Sequence, residues 1–181
     1  MRRASPWSLP ACAISGTEMR ALYWSAILTF AADQALKWAV VVGMNLREIG
    51  QIEVWPPYLM LTMAWNRGVN FGLFAADSMW LRVALVVLPV LVSAWVWHWV
   101  RGLGGGLALG LAAGLLIGGA LGNAVDRVVW GAVADFLNVS CCGWVNPWAF
   151  NVADITIFVG AFGLILATPG KRPRDDGSKL G

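Results

Sequence analysis

Four acidic residues stand out by where they fall. Asp33, Asp126, Asp135 and Asp154 each lie within or beside strongly apolar sequence. A carboxylate near lipid is costly, so each calls for a neutralising partner or a function. Asp33 has Lys37 one helical turn on, in the order that suits the helix dipole, so mutual neutralisation competes with a functional role. Asp126 precedes Arg127 directly, which admits a local ion pair. Asp135, in Val133-Ala134-Asp135-Phe136, has no neighbouring base, and neither has Asp154, three residues after Asn151. Two carboxyls held close in low dielectric cannot both ionise, so one keeps a proton. Such a pair places a base and an acid together. The base can take a proton from water as it attacks a carbonyl, and the acid can protonate the carbonyl oxygen and then the leaving amine. That chemistry needs no nucleophilic Ser or Cys, no metal and no other cofactor. On the residues alone, a proton relay or plain ion pairing stays open beside it.

The elements that must position these acids follow from composition. The 181 residues are 59% hydrophobic and 13% charged, with twelve Trp. That excludes both a water-soluble globule and a disordered chain. A net charge of +3 without a basic stripe argues against nucleic-acid binding. Three Cys and one His exclude a disulfide framework and a zinc site. The adjacent Cys141 and Cys142 read as loop filler, because a bond between neighbouring Cys is strained. Four stretches meet the requirement of about 20 apolar residues for a crossing: about 21–43, 79–100, 103 to about 125, and about 150–168. The expected fold is an all-α membrane protein of four transmembrane helices with a small outer-face β-sheet.

Lys and Arg divide unevenly between the two sides. Arg2, Arg3, Arg20, Arg101, Lys171, Arg172, Arg174 and Lys179 fall on one side, and Arg47, Arg67, Arg82 and Arg127 on the other. The positive-inside rule then puts both termini in the cytoplasm and the long loops outside. The third span runs outward to Asp126, Asp135 lies in the loop that follows, and Asp154 opens the fourth span. These three acids therefore converge at the outer interface. Trp residues mark both interfaces as an aromatic belt. Gly102, Gly106, Gly110, Gly114, Gly118 and Gly122 recur every four residues, a spacing for close helix packing. Four residues turn through roughly 400°, so this row spirals by about 40° per step. In the first outer loop, residues 59–65 read as a strand, Asn66-Arg67-Gly68 as a turn and 69–74 as a second strand. Asn66, Gly68 and Asn70 can meet an extended peptide there or simply form the turn. The domain reading is an N-terminal extension over 1–18, a four-helix membrane domain over 19–170 and a cytoplasmic tail over 171–181.

Five motifs in order extend this reading. They are Asp33-Gln34-x-x-Lys37, Asn66-x-Gly68-x-Asn70-Phe71, Gly119-Ala120-x-Gly122-Asn123-x-x-Asp126-Arg127, Val133-x-Asp135-Phe136 and Phe150-Asn151-x-Ala153-Asp154. Together they resemble the bacterial lipoprotein signal peptidase (signal peptidase II) family over roughly 20–168. The resemblance implies an aspartic endopeptidase of the inner membrane, working near the periplasmic face. Its implied partners are membrane lipid and a prolipoprotein whose Cys carries diacylglycerol, cut just before that Cys, with no obligate protein partner. It maps the catalytic pair to Asp135 and Asp154. Asn66, Gly68, Asn123, Asp126, Arg127 and Asn151 match positions that bind substrate or brace the site, and Asp33 and Lys37 a bracing pair. Asn70 and Ala134 depart from the residues common at those positions, and Cys141-Cys142 lies outside the pattern.

Overall fold

A computed structural model describes residues 15–68, 79–104, 106–144 and 146–168. The second strand expected at 69–74, with Asn70 and Phe71, lies outside the described residues, as do most of the N-terminal extension and the tail.

Helix α1 spans Gly16–Lys37. Ser15 and Glu18 form a capping box at its start, Ser15 Oγ accepting from Glu18 N and Glu18 Oε2 from Ser15 N. The helix therefore takes in the last residues of the stretch set aside as an extension. It continues as a π-helical turn over Trp38–Gly43. The short α2, Leu46–Ile49, leads into β1, Gln51–Trp55, and β2, Leu59–Asn66. Then come α3 over Met79–Arg101, α4 over Gly106–Val129, β3 over Val133–Val139 and α5 over Val152–Ala167.

Three of the helical segments, 16–43, 79–101 and 106–129, are long and apolar enough to cross a membrane. The fourth apolar helix, α5, has 16 residues, which is about 24 Å of helix against a hydrocarbon layer of about 30 Å.

Helix α4 is the hub, packed by α1, α3 and α5. The glycine row explains how. A Cβ on Gly110 or Gly114 would strike the α1 backbone at Glu18 or Leu22, and one on Gly118 would sit 2.5 Å from Ala26 O. By Gly122 the spiral has turned to the seam between α1 and α5, facing Asp33 and Ala153. Helix α5 returns the contact: a Cβ on Gly160 would lie 2.6 Å from Leu116 N. Bare backbone on both helices allows an approach that side chains would block. Leu22, Val96, Val100, Leu109, Ala113 and Leu164 fill the remaining core.

The sheet is antiparallel, in the order β1-β2-β3. Upstream of Pro56-Pro57, β1 forms a hairpin with β2, a strand beyond those expected in this loop. Gln51-Ile52-Glu53-Val54-Trp55 alternates polar and apolar residues as a strand requires. On its other edge β2 takes β3, with Ala64 opposite Asp135 and Asn66 opposite Val133. The sheet packs on the π-helical turn and α2 through Val40, Val41, Leu46, Leu61, Ala134 and Phe136.

Cys141 and Cys142 are joined by a disulfide, a correction to their reading as filler. Positive φ at Cys142 and Gly143 turns the chain back so that Cys141 pairs with Trp144.

Candidate active site

Four elements deliver polar side chains to one place: the C-terminal ends of α1 and α4, strand β3 and the start of α5. Gly131, at φ +74°, stops α4 abruptly, so β3 begins directly above Asp126. Phe150 pairs with Leu137 through N–H···O bonds of 3.0 and 2.8 Å. That pairing sets Asn151, the N-cap of α5, against Asp135.

Asn151 is the junction of the site. Its Nδ2 donates to Asp135 Oδ1 at 2.6 Å and to Asn123 Oδ1 at 3.2 Å. It also forms a capping box with Asp154. Asp154 N donates to Asn151 Oδ1 at 2.9 Å, and Asn151 N to Asp154 Oδ2 at 3.3 Å. The other oxygen of Asp154 accepts from Asn123 Nδ2 at 2.9 Å. Asp135 and Asp154 are therefore both hydrogen-bonded to Asn151, Asp135 to its side chain and the Asp154 carboxyl to its backbone N–H, although they sit on different elements.

Burial pushes the Asp135 carboxyl up to about 6, with the negative charge of Asp154 adding to it; the amides of Asn66 and Asn151 and the charge of Lys37 oppose the rise. A carboxyl in that range can release and take up a proton near neutral pH, as acid–base work requires.

Beneath these residues lies a buried ion cluster. Lys37 Nζ reaches Asp33 Oδ2 at 2.8 Å, Asp126 Oδ2 at 2.6 Å and Asn123 Oδ1 at 3.1 Å. Three partners use all three ammonium protons. Asp33 and Lys37 form the ion pair that their one-turn spacing allows. The Asp126–Arg127 ion pair that adjacency admits is not formed: Asp126 turns to Lys37, while Arg127 Nη1 donates to Asn123 O at 3.1 Å. Neighbours in a helix point about 100° apart and do not face each other.

Gln34, beside Asp33 in the first motif, joins the same cluster. Its Nε2 lies 2.9 Å from Asp126 Oδ1, 3.2 Å from Asp33 Oδ2 and 3.3 Å from Gly122 O. A carboxamide beside Asp33 within a span was the available signal. Asn66 serves two ends. Its Oδ1 accepts from Gly68 N at 3.0 Å, with Gly68 at φ +100°, and its amide acts on Asp135.

A cavity of about 290 Å³ opens on the flank of this site. Leu88, Pro89 and Val92 of α3, Leu116 and Ala120 of α4 and Ile157 of α5 form its apolar wall, and it closes on Asn123 and Arg127. Arg127 Nε is buried there with no hydrogen-bond partner among the described residues. An apolar groove thus adjoins the site at Asn123 and Arg127.

Residues 25–169 match the family described as Signal peptidase (SPase) II. The chain belongs to that family. It is 40% identical over 152 residues to the lipoprotein signal peptidase of Methylobacterium sp. (strain 4-46), covering 84% of this chain and 90% of that one. It is 39% identical over 164 residues to that of Pseudomonas syringae pv. tomato, covering 87% and 92%. Two solved structures of bacterial membrane enzymes share the fold. One has a TM-score of 0.66 at 26% identity, covering 82% of this chain and 87% of that one, and the other 0.68 at 25% identity, covering 82% and 92%. The chain is a bacterial membrane peptidase of the signal peptidase II family.

Proposed function

We propose that this peptidase removes the signal peptide from diacylglyceryl-modified prolipoproteins, cutting just before the lipidated Cys, with Asp135 and Asp154 as its catalytic pair. The observation that carries this reading is the bridge at Asn151, which ties the two acids together beside an apolar groove.

One carboxylate takes a proton from water as the water oxygen bonds to the scissile carbonyl carbon. The partner carboxyl gives its proton to the carbonyl oxygen. As the tetrahedral adduct collapses, the C–N bond breaks, the proton first taken from water goes to the leaving amine, and an adduct hydroxyl returns its proton to the partner carboxylate as the carbonyl reforms. The products are a signal peptide ending in a carboxylate and a lipidated Cys with a free amine. Asn123 and Asn151 hold the pair in place. Arg127, at the groove end with an unused Nε–H, binds a substrate carbonyl.

The topology follows from the same reading. Helix α5 makes the fourth crossing, both termini are cytoplasmic, and the site lies at the periplasmic side of the inner membrane. Because α5 is about 24 Å long, its capped outer end sits below the headgroups, where a diacylglyceryl anchor would hold the cut site. A signal peptide in lipid keeps its amides in helical hydrogen bonds. It must unwind at the cut, and the Asn side chains meet the freed groups.

The test is cleavage of a synthetic precursor by the purified enzyme in lipid. A diacylglyceryl precursor should yield a product beginning at lipidated Cys, unaffected by a chelator, while its unlipidated twin stays whole. Equal cleavage of both, or loss on chelation, would contradict the proposal. A transporter using the acids as a relay, or a packing factor, would cut neither.

A further inference from the structure

The residue just before each acid of the pair is held by a carboxylate of the buried ion cluster. Ala153 N donates to Asp33 Oδ1 at 3.0 Å, and Ala134 N donates to Asp126 Oδ2 at 3.3 Å. Lys37 joins those two carboxylates, at 2.8 and 2.6 Å. A continuous run therefore passes from the backbone before Asp154, through Asp33, Lys37 and Asp126, to the backbone before Asp135.

Ala153 lies in the first turn of α5, where N–H groups have no intrahelical acceptor, and α1 supplies one. Gly122 keeps the path clear. A Cβ there would stand 2.6 Å from Asp33 Oδ2 and 3.8 Å from the Ala153 side chain. Neutralising one Lys inside a span needs only one carboxylate. The second carboxylate and the two backbone amides serve another purpose.

We propose that Asp33, Lys37 and Asp126 are positioning residues that set the separation of Asp135 and Asp154 by fixing the backbone one residue before each. This rests on the reading of Asp135 and Asp154 as the catalytic pair. A misplacement of about 1 Å in reacting groups can cost about a hundredfold in rate.

Hydrogen exchange on protein labelled with 15N-alanine reads the tether without any substrate. The Ala153 amide should exchange as slowly as Ala134, despite its first-turn position. An Ala153 amide that exchanges like an open helix end would overturn the proposal. Gly122→Ala leaves every charge in place but crowds Asp33. It should speed Ala153 exchange at least tenfold and lower kcat at least tenfold at unchanged KM, with the folded fraction held equal. Faster Ala153 exchange with kcat unchanged would overturn the positioning role, as would unchanged exchange. If Gly122→Ala fails to fold, Asp33→Asn is judged by the same readouts, because its carboxamide cannot accept from both Lys37 and Ala153. Retained cleavage by Asp135→Asn would overturn the catalytic reading alone, leaving the exchange results standing.

Discussion

Asp135 should make the protein less stable than it could be. Its side chain is 4% exposed, and burial with the nearby Asp154 raises its pKa from 3.8 to about 6. At pH 8 the ionised form is the costly one in the folded state and the ordinary one in the unfolded chain. The gap between the two values corresponds to about 3 kcal/mol, by the conversion of about 1.4 kcal/mol per pH unit. Asp135→Asn keeps the size and the acceptor for Asn151 but removes the charge. It should therefore be inactive yet more stable than the wild type at pH 8, by roughly 2 to 3 kcal/mol. The sign reverses the usual carboxylate case. Well above pH 6 the wild type carries the full cost; as pH falls from 6 toward 4, Asp135 takes up its proton in the folded state before the unfolded chain does, so the advantage of Asn disappears. Denaturant unfolding in detergent micelles at several pH values, followed by Trp fluorescence, measures this directly. An Asp135→Asn protein that is equally stable at pH 8, or whose advantage grows toward pH 4, would refute the reasoning.

Other perturbations have definite outcomes. Lys37→Met leaves Asp33 and Asp126 buried without their cation, and should lower stability by about 3 to 5 kcal/mol in the same assay; adding Asp33→Asn to that variant should restore part of the loss, because it removes one of two like charges. Asp154→Asn takes away a charge that raises the Asp135 pKa, so the protonated-carboxyl infrared band of Asp135 should vanish at lower pH than in the wild type. A Cβ at Gly118 would lie 2.5 Å from Ala26 O, so Gly118→Ala should cost about 1 to 3 kcal/mol, while Gly43→Ala, with only Trp38 O at 3.8 Å, should be near neutral in the same unfolding experiment.

The acids were legible because apolar sequence makes each one conspicuous. Asp135 and Asp154 could be brought to one interface by counting crossings, and Asn151 by its three-residue spacing from Asp154. The Asp33–Lys37 pair is a local, one-turn relation and was equally readable. Links between distant elements were not. Lys37 to Asp126, Asp33 to Ala153 N and Asp126 to Ala134 N depend on how α1 and α4 pack and where Gly131 ends the helix. Adjacency in sequence pointed Asp126 at Arg127, although helical geometry turns such neighbours apart. Strand β1 carries an alternating pattern too short to stand out in sequence, and only its pairing with β2 across Pro56-Pro57 makes it part of the sheet. The Cys141–Cys142 bond sits in a turn with positive φ at Cys142, which residue types alone do not dictate.

The central claim is most directly tested by presenting a diacylglyceryl precursor to Asp135→Asn and Asp154→Asn proteins inserted in the membrane at wild-type levels. Both should leave the precursor whole while remaining folded. Cleavage before the lipidated Cys by either variant at a rate near the wild type would contradict the assignment of the catalytic pair.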